Sequence, residues 1–102
     1  MELKQIVIRE VASPGTVRGD DGRMYVLKGV PDGAEDVGDF AAAKRVVEEA
    51  LTGREIYADE ALVRELPELP GFEIAPLDSQ GRSIVPALSA RVAGALAGYP
   101  MP

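Results

Sequence analysis

A chain of 102 residues that is 46% hydrophobic fits one domain with its own apolar core. Its formal charge of −6 has the wrong sign for neutralising phosphates over a broad surface, which disfavours nucleic acid as a partner. Histidine and cysteine are both absent, which excludes thiolate nucleophiles, disulfides, Cys/His zinc sites and imidazole catalysis and leaves any chemistry to carboxylates, hydroxyls, Lys, Arg or Tyr.

The opening segment Met1 to Ile6 has no long apolar stretch of the signal-peptide kind, and no apolar run approaches the roughly 20 residues of a membrane span. A soluble, cytoplasmic protein with no membrane partner is the expectation, although a lack of cysteine fits secretion equally well. From Leu3 to Ala12, Ile6 and Ile8 alternate with Gln5, Val7 and Arg9 and are followed by Val11, the pattern of a strand with one face buried. Ser13-Pro14-Gly15 punctuates, Thr16-Val17-Arg18 resumes extended chain, and Asp20-Asp21-Gly22 is a hairpin signal because glycine relieves the positive φ of tight turns. Met24 to Val30 is then the return strand of a three-stranded meander.

After Pro31-Asp32-Gly33 a helix is expected from Asp36 or Val37 to Thr52. Val37, Phe40, Ala43, Val47, Ala50 and Leu51 fall at helical spacing, Asp36 is the N-cap, and Gly53 the left-handed C-cap. Lys44 with Glu48 and Arg45 with Glu49 are i,i+4 pairs on its outer face. Glu55 to Ala58 reads as a short strand, and Ala61 to Leu66 fits either an extension of it or a helical turn. Pro67 and Pro70 mark a surface loop, and Phe72 to Leu77 alternates as a further strand that Pro76 places at an edge. Asp78 to Gly81 makes a turn. Ser83 then caps a last helix to about Ala97, with Pro86 in its first turn and a stripe of Ile84, Leu88, Val92 and Leu96 that should pack on the sheet. One domain is expected over residues 1–97, with 98–102 a loose tail unless Tyr99 docks.

The order βββ-α-ββ-α is that of a five-stranded OB-fold Greek-key barrel, an α+β architecture. With its turn residues it resembles the staphylococcal nuclease-like (thermonuclease) family over most of the chain except Leu62 to Pro70. Ser13-Pro14-Gly15-Thr16 stands where the family reads Asp-Gly-Asp-Thr. Val26 to Ala34 follows the rhythm of its third strand, Gly53 to Tyr57 its helix exit, and Gln80 to Leu88 is similar to its Asp-Gly-x-x-Val-Asn-x-x-Leu. The resemblance implies a site built from calcium-binding carboxylates, a glutamate and two arginines. Here the first-turn carboxylate falls on Gly15, the third-strand Arg on Val26, the following Asp on Pro31 and the Glu on Ala34, while the second Arg has no convincing counterpart. A divalent cation needs several hard oxygens and a phosphate needs opposing cations, so the resemblance implies a degenerate member without that hydrolysis. No catalytic residue and no cofactor are expected.

Other features carry alternatives. Asp32, Glu35, Asp36 and Asp39 are oxygen donors suited to calcium or magnesium, but acidic side chains also favour a helix start, and their spacing is not an EF-hand loop. Ser13, Thr16, Ser83 and Ser89 have no evident base to activate them. Arg18, Arg23 and Lys28 would make a basic strip if one face collected them, and Tyr25 and Tyr57 would stack bases if exposed; solvated strands and core or rim packing are the simpler readings. The expected function is a catalytically inactive binding or assembly module acting through a protein partner or self-association. The alternatives are a metal-dependent phosphodiesterase with a relocated carboxylate site, and single-stranded nucleic-acid binding by the barrel face.

Overall fold

The computed structural model describes residues 2–31, 40–67 and 71–96. The meander forms as its alternation dictates: β1 (Leu3–Ser13), β2 (Thr16–Gly19) and β3 (Met24–Leu27) are successively antiparallel. Ile6, Ile8 and Val11 point inward from β1, opposite Val17 of β2 and Tyr25 and Leu27 of β3. The register of β1 against β2 shifts between Ile8 and Glu10 and again between Val11 and Ser13. Such irregularities bend a strand and increase its twist. The first half of β1, Leu3 to Val7, pairs with β4 (Glu55–Asp59), while its second half pairs with β2.

The helix α1 (Phe40–Leu51) joins β3 to β4 and buries Ala43, Val47 and Leu51 at helical spacing. Gly53 ends it in the left-handed region at φ 74°, as expected of a C-cap, and its amide donates to the Ile8 carbonyl at 2.8 Å. Among the described residues the ion pairs are Arg18–Glu10 and Arg64–Glu73, so the expected pairs Lys44–Glu48 and Arg45–Glu49 are not formed. Exposed helical pairs gain little and cost side-chain entropy, which is why spacing alone does not secure them. The N-cap assigned to Asp36 lies outside the described residues, as does the tail 98–102.

The stretch Ala61 to Leu66 begins with the helical turn of the second alternative and does not extend β4, its later residues forming a separate strand at the other margin of the sheet. A 3-10 turn (Glu60–Leu62), capped by Asp59 Oδ1 accepting from the Ala61 amide at 3.0 Å, is followed by β5 (Arg64–Leu66). β5 pairs antiparallel with β6 (Gly71–Ile74), and β6 pairs parallel with β3. The strand order is β4-β1-β2-β3-β6-β5, a curled mixed sheet of six strands forming a half-barrel in an α+β domain. The expectation of five strands is corrected by β5, and Pro76 does not mark an edge. β6 lies between β3 and β5, and Pro76 sits beyond its end in a fully buried position, where it takes no ladder hydrogen bond away.

The chain after β6 turns back to the opposite margin of the sheet. Leu77 exchanges two backbone hydrogen bonds with Tyr57 of β4, at 2.8 and 2.9 Å. The last helix, α2 (Val85–Leu96), starts where Ser83 Oγ accepts from the Val85 amide at 3.2 Å and buries Leu88, Val92 and Ala95. It packs chiefly on α1 rather than on the sheet, a correction to the expected placement. α1 packs on β1, and the narrow stripe of α2 finds its apolar partner in α1. Among the described residues no buried side-chain polar atom is left without a partner, and no helix is long and apolar enough to cross a membrane.

Candidate functional site

Gly15, Val26 and Pro31, three of the positions matched by the resemblance, lie among the described residues. Gly15 is buried in the turn between β1 and β2, and its carbonyl accepts from the Leu27 amide at 2.8 Å. The adjacent Thr16 is in register with Val26. Gly15 thus lies opposite Leu27 and Thr16 opposite Val26, so by the alternation of a ladder Gly15 and Val26 belong to opposite faces of the sheet, one without a side chain and the other aliphatic. Pro31 closes the described segment, and Ala34 lies outside it together with Asp32, Glu35, Asp36 and Asp39. Among the described residues no three carboxylates gather closely enough to hold a metal ion.

The basic strip is not assembled. Arg18 pairs with Glu10 at 3.4 Å, Arg23 lies over the Phe72 ring at 5.3 Å from its centroid, and Lys28 stands at the far end of β3 beside Leu62 and Arg64. Tyr25 is a core residue, fully buried, with its ring 6.1 Å from that of Phe72 and its hydroxyl donating to Asp21 Oδ2 at 2.6 Å. Burial, then this hydrogen bond and the Asp21 charge, push the Tyr25 hydroxyl up to about 12. Partial burial would raise Asp21, but the bonds from the Tyr25 hydroxyl and the Arg23 amide outweigh it and hold the carboxyl below its ordinary value. An aromatic enclosed in this way has no face for a nucleic-acid base. Tyr57 is half-buried on β4 and lines a cleft instead.

That cleft holds about 520 Å³ between the end of α1, the start of β4 and the segment after β6, and Arg54, Glu55, Tyr57, Leu77 and Asp78 line it. A second hollow of about 230 Å³, lined by Ala87, Leu88 and Arg91 of α2, shares Ala50, Leu51 and Ile84 with the first, so the two form one groove. Local chemistry positions each wall. The left-handed turn at Gly53 swings Arg54 out of the helix, and the Arg54 carbonyl accepts from Ile8 at 2.9 Å, which aligns Glu55 and Tyr57 on β4. The Tyr57–Leu77 bridge brings the far wall in. Asp78 then fastens the turn: its Oδ1 accepts from the amides of Arg82 at 3.0 Å and Gln80 at 2.8 Å, contacts that hold its carboxyl below the usual range. The Tyr57 hydroxyl donates to Glu55 Oε2 at 3.2 Å and is shifted upward by desolvation and by that carboxylate.

The groove thus has an apolar floor, one cation at its α2 end, and two carboxylates beside one cation at its β4 end. Sequence reasoning missed it because its walls come from three separated segments of the chain. No protein-family model matches this chain, and no curated protein or solved structure shows significant similarity to it.

Proposed function

We propose that this chain is a non-catalytic binding or assembly module of the nuclease-like OB type, acting through protein contacts at the groove between α1 and α2. One observation carries the non-catalytic part: the residues that stand, by the resemblance, where a metal carboxylate and a guanidinium would be needed are Gly15 and Val26, and neither has a polar side-chain atom. The barrel part is supported by the parallel pairing of β3 with β6 and by the return of Leu77 to β4, the connections a five-stranded Greek key requires. The binding part is supported by the groove's half-exposed apolar floor, framed by charged rims as recognition surfaces are.

Calorimetry with calcium and magnesium, run beside a cleavage assay on labelled single- and double-stranded DNA, tests the first claim. Neither heat nor cleavage is expected. Metal-stimulated cleavage that disappears when Asp32, Glu35, Asp36 and Asp39 are neutralised would replace this reading with the relocated-carboxylate enzyme. A salt-dependent rise in anisotropy of a labelled oligonucleotide would replace it with nucleic-acid binding. For the groove, the probe is anilinonaphthalene sulfonate, whose fluorescence should rise with the folded protein and fall back in an Ala87→Arg variant that blocks the floor.

A further inference from the structure

The outward side of α2 is unusual for a surface helix. Its twelve residues include one charged side chain, Arg91, while Ala87, Ala90 and Ala93 face solvent and only Leu88, Val92 and Ala95 are buried. A helix apolar around its circumference is ordinarily covered on more than one side. Here the uncovered side runs into the groove through Ala87 and Arg91.

The charges along that groove are ordered. The α2 end carries Arg91 alone, whereas the β4 end carries Glu55 and Asp78 against Arg54, one positive end and one net negative end. Neither Arg91 nor Glu55 has an ion-pair partner among the described residues. Asp78 Oδ1 takes two amides of its own turn and holds that half-buried side chain in place, whereas the exposed Glu55 accepts the Tyr57 hydroxyl on Oε2 and keeps Oε1 for a partner. Rotating such a surface by half a turn about its centre lays the positive end on the negative end, which is the self-complementarity that an isologous two-fold contact requires. The chain's charge of −6 makes copies repel over much of their surface, and α2 presents no carboxylate to add to that repulsion.

We propose that the groove is occupied by a second copy of this chain, related by a two-fold axis that sets Arg91 of each copy against Glu55 of the other and packs the Ala87–Ala90 faces together. The proposal rests on the reading of the groove as a recognition surface and names its partner. The small side chains let the two α2 backbones approach closely, and the paired ends set the register.

Sedimentation equilibrium from micromolar to millimolar protein tests it. The wild-type chain should dimerise reversibly. Arg91→Glu and Glu55→Arg should each weaken the dimer roughly tenfold or more, because two pairs per dimer turn from attraction to repulsion. Mixing the two variants should restore association, since in the mixed dimer both contacts are again of opposite sign. Circular dichroism of each variant establishes that it is folded. A wild-type chain that stays monomeric throughout, or mixed variants that associate no better than either alone, would overturn the proposal. If the chain is monomeric yet the dye still binds and Ala87→Arg abolishes that signal, the recognition surface stands and the second copy is refuted. A monomer that binds no dye refutes both.

Discussion

The turn after β3 offers a sharp test of how α2 is held. Gly29 adopts φ 90°, and a Cβ built there would lie 2.9 Å from Val85 Cγ1, at the first turn of α2. Gly53 has a similar φ of 74°, but a Cβ on it would meet no atom within 4 Å. Gly53→Ala therefore measures the left-handed backbone penalty alone, about 1 kcal/mol. Gly29→Ala carries that penalty plus overpacking of about 1–3 kcal/mol, because a valine's branched Cβ restricts how far its methyl can swing away. The expected losses are about 1 kcal/mol for Gly53→Ala and about 2–4 kcal/mol for Gly29→Ala. Truncating the obstacle should then rescue: the double variant Gly29→Ala with Val85→Ala should lose about 1–2 kcal/mol less than the sum of its single changes. Urea unfolding followed by circular dichroism, with free energies from linear extrapolation, supplies all four values. If Gly29→Ala costs no more than Gly53→Ala, and its effect adds fully to that of Val85→Ala, the turn does not bear on α2 and the reasoning fails.

Ile8 is fully buried on β1, and Ile8→Ala should remove about 2–5 kcal/mol from a total of about 5–15 kcal/mol, visible as a melting temperature lower by roughly 10 °C or more. Tyr25→Phe deletes the hydrogen bond to Asp21 and should cost about 1 kcal/mol near neutral pH, since the exposed Asp21 regains water. Because the Tyr25 pKa is raised from 10.0 to about 12, the unfolded chain loses this proton first; the stability tied to it is complete below pH 10 and is lost as pH rises towards 12. Alkaline unfolding series on the wild type and Tyr25→Phe should diverge in that window, and parallel curves would show that the hydroxyl is not held as described. Ser83→Ala removes the oxygen that accepts from the Val85 amide and should cost about 1 kcal/mol by urea unfolding, an effect that Ser83→Asp should largely spare.

The elements legible in the sequence are those whose side chains report their own surroundings. Ile6 and Ile8 alternate because one face of β1 is buried, and Ala43, Val47 and Leu51 recur at helical spacing because one face of α1 is. Glycines at 22 and 53 stand where φ is positive, as the turn and cap chemistry demands. β5 was not legible as a separate strand: Arg64-Glu65-Leu66 has two charged residues in three and no alternation, and it is extended because the backbone of β6 offers it a ladder. Of the groove, only the turn at Asp78 and the cap at Ser83 were foreseeable, both made by side chains bonding to amides a few residues away.

The sequence alone settles the chemical inventory, a chain with neither imidazole nor thiol, and the local periodicities that make strands and helices. Tertiary structure decided that β3 and β6 run parallel, that Leu77 crosses to Tyr57, that α2 rests on α1, and hence that Arg91 and Glu55 stand at the two ends of one groove. The physical reason is the range of the forces involved. Burial and capping act on each residue through its neighbours in the chain and leave a mark on residue type, whereas strand pairing is made by peptide groups that every residue carries, so its partners are chosen only when the whole core closes.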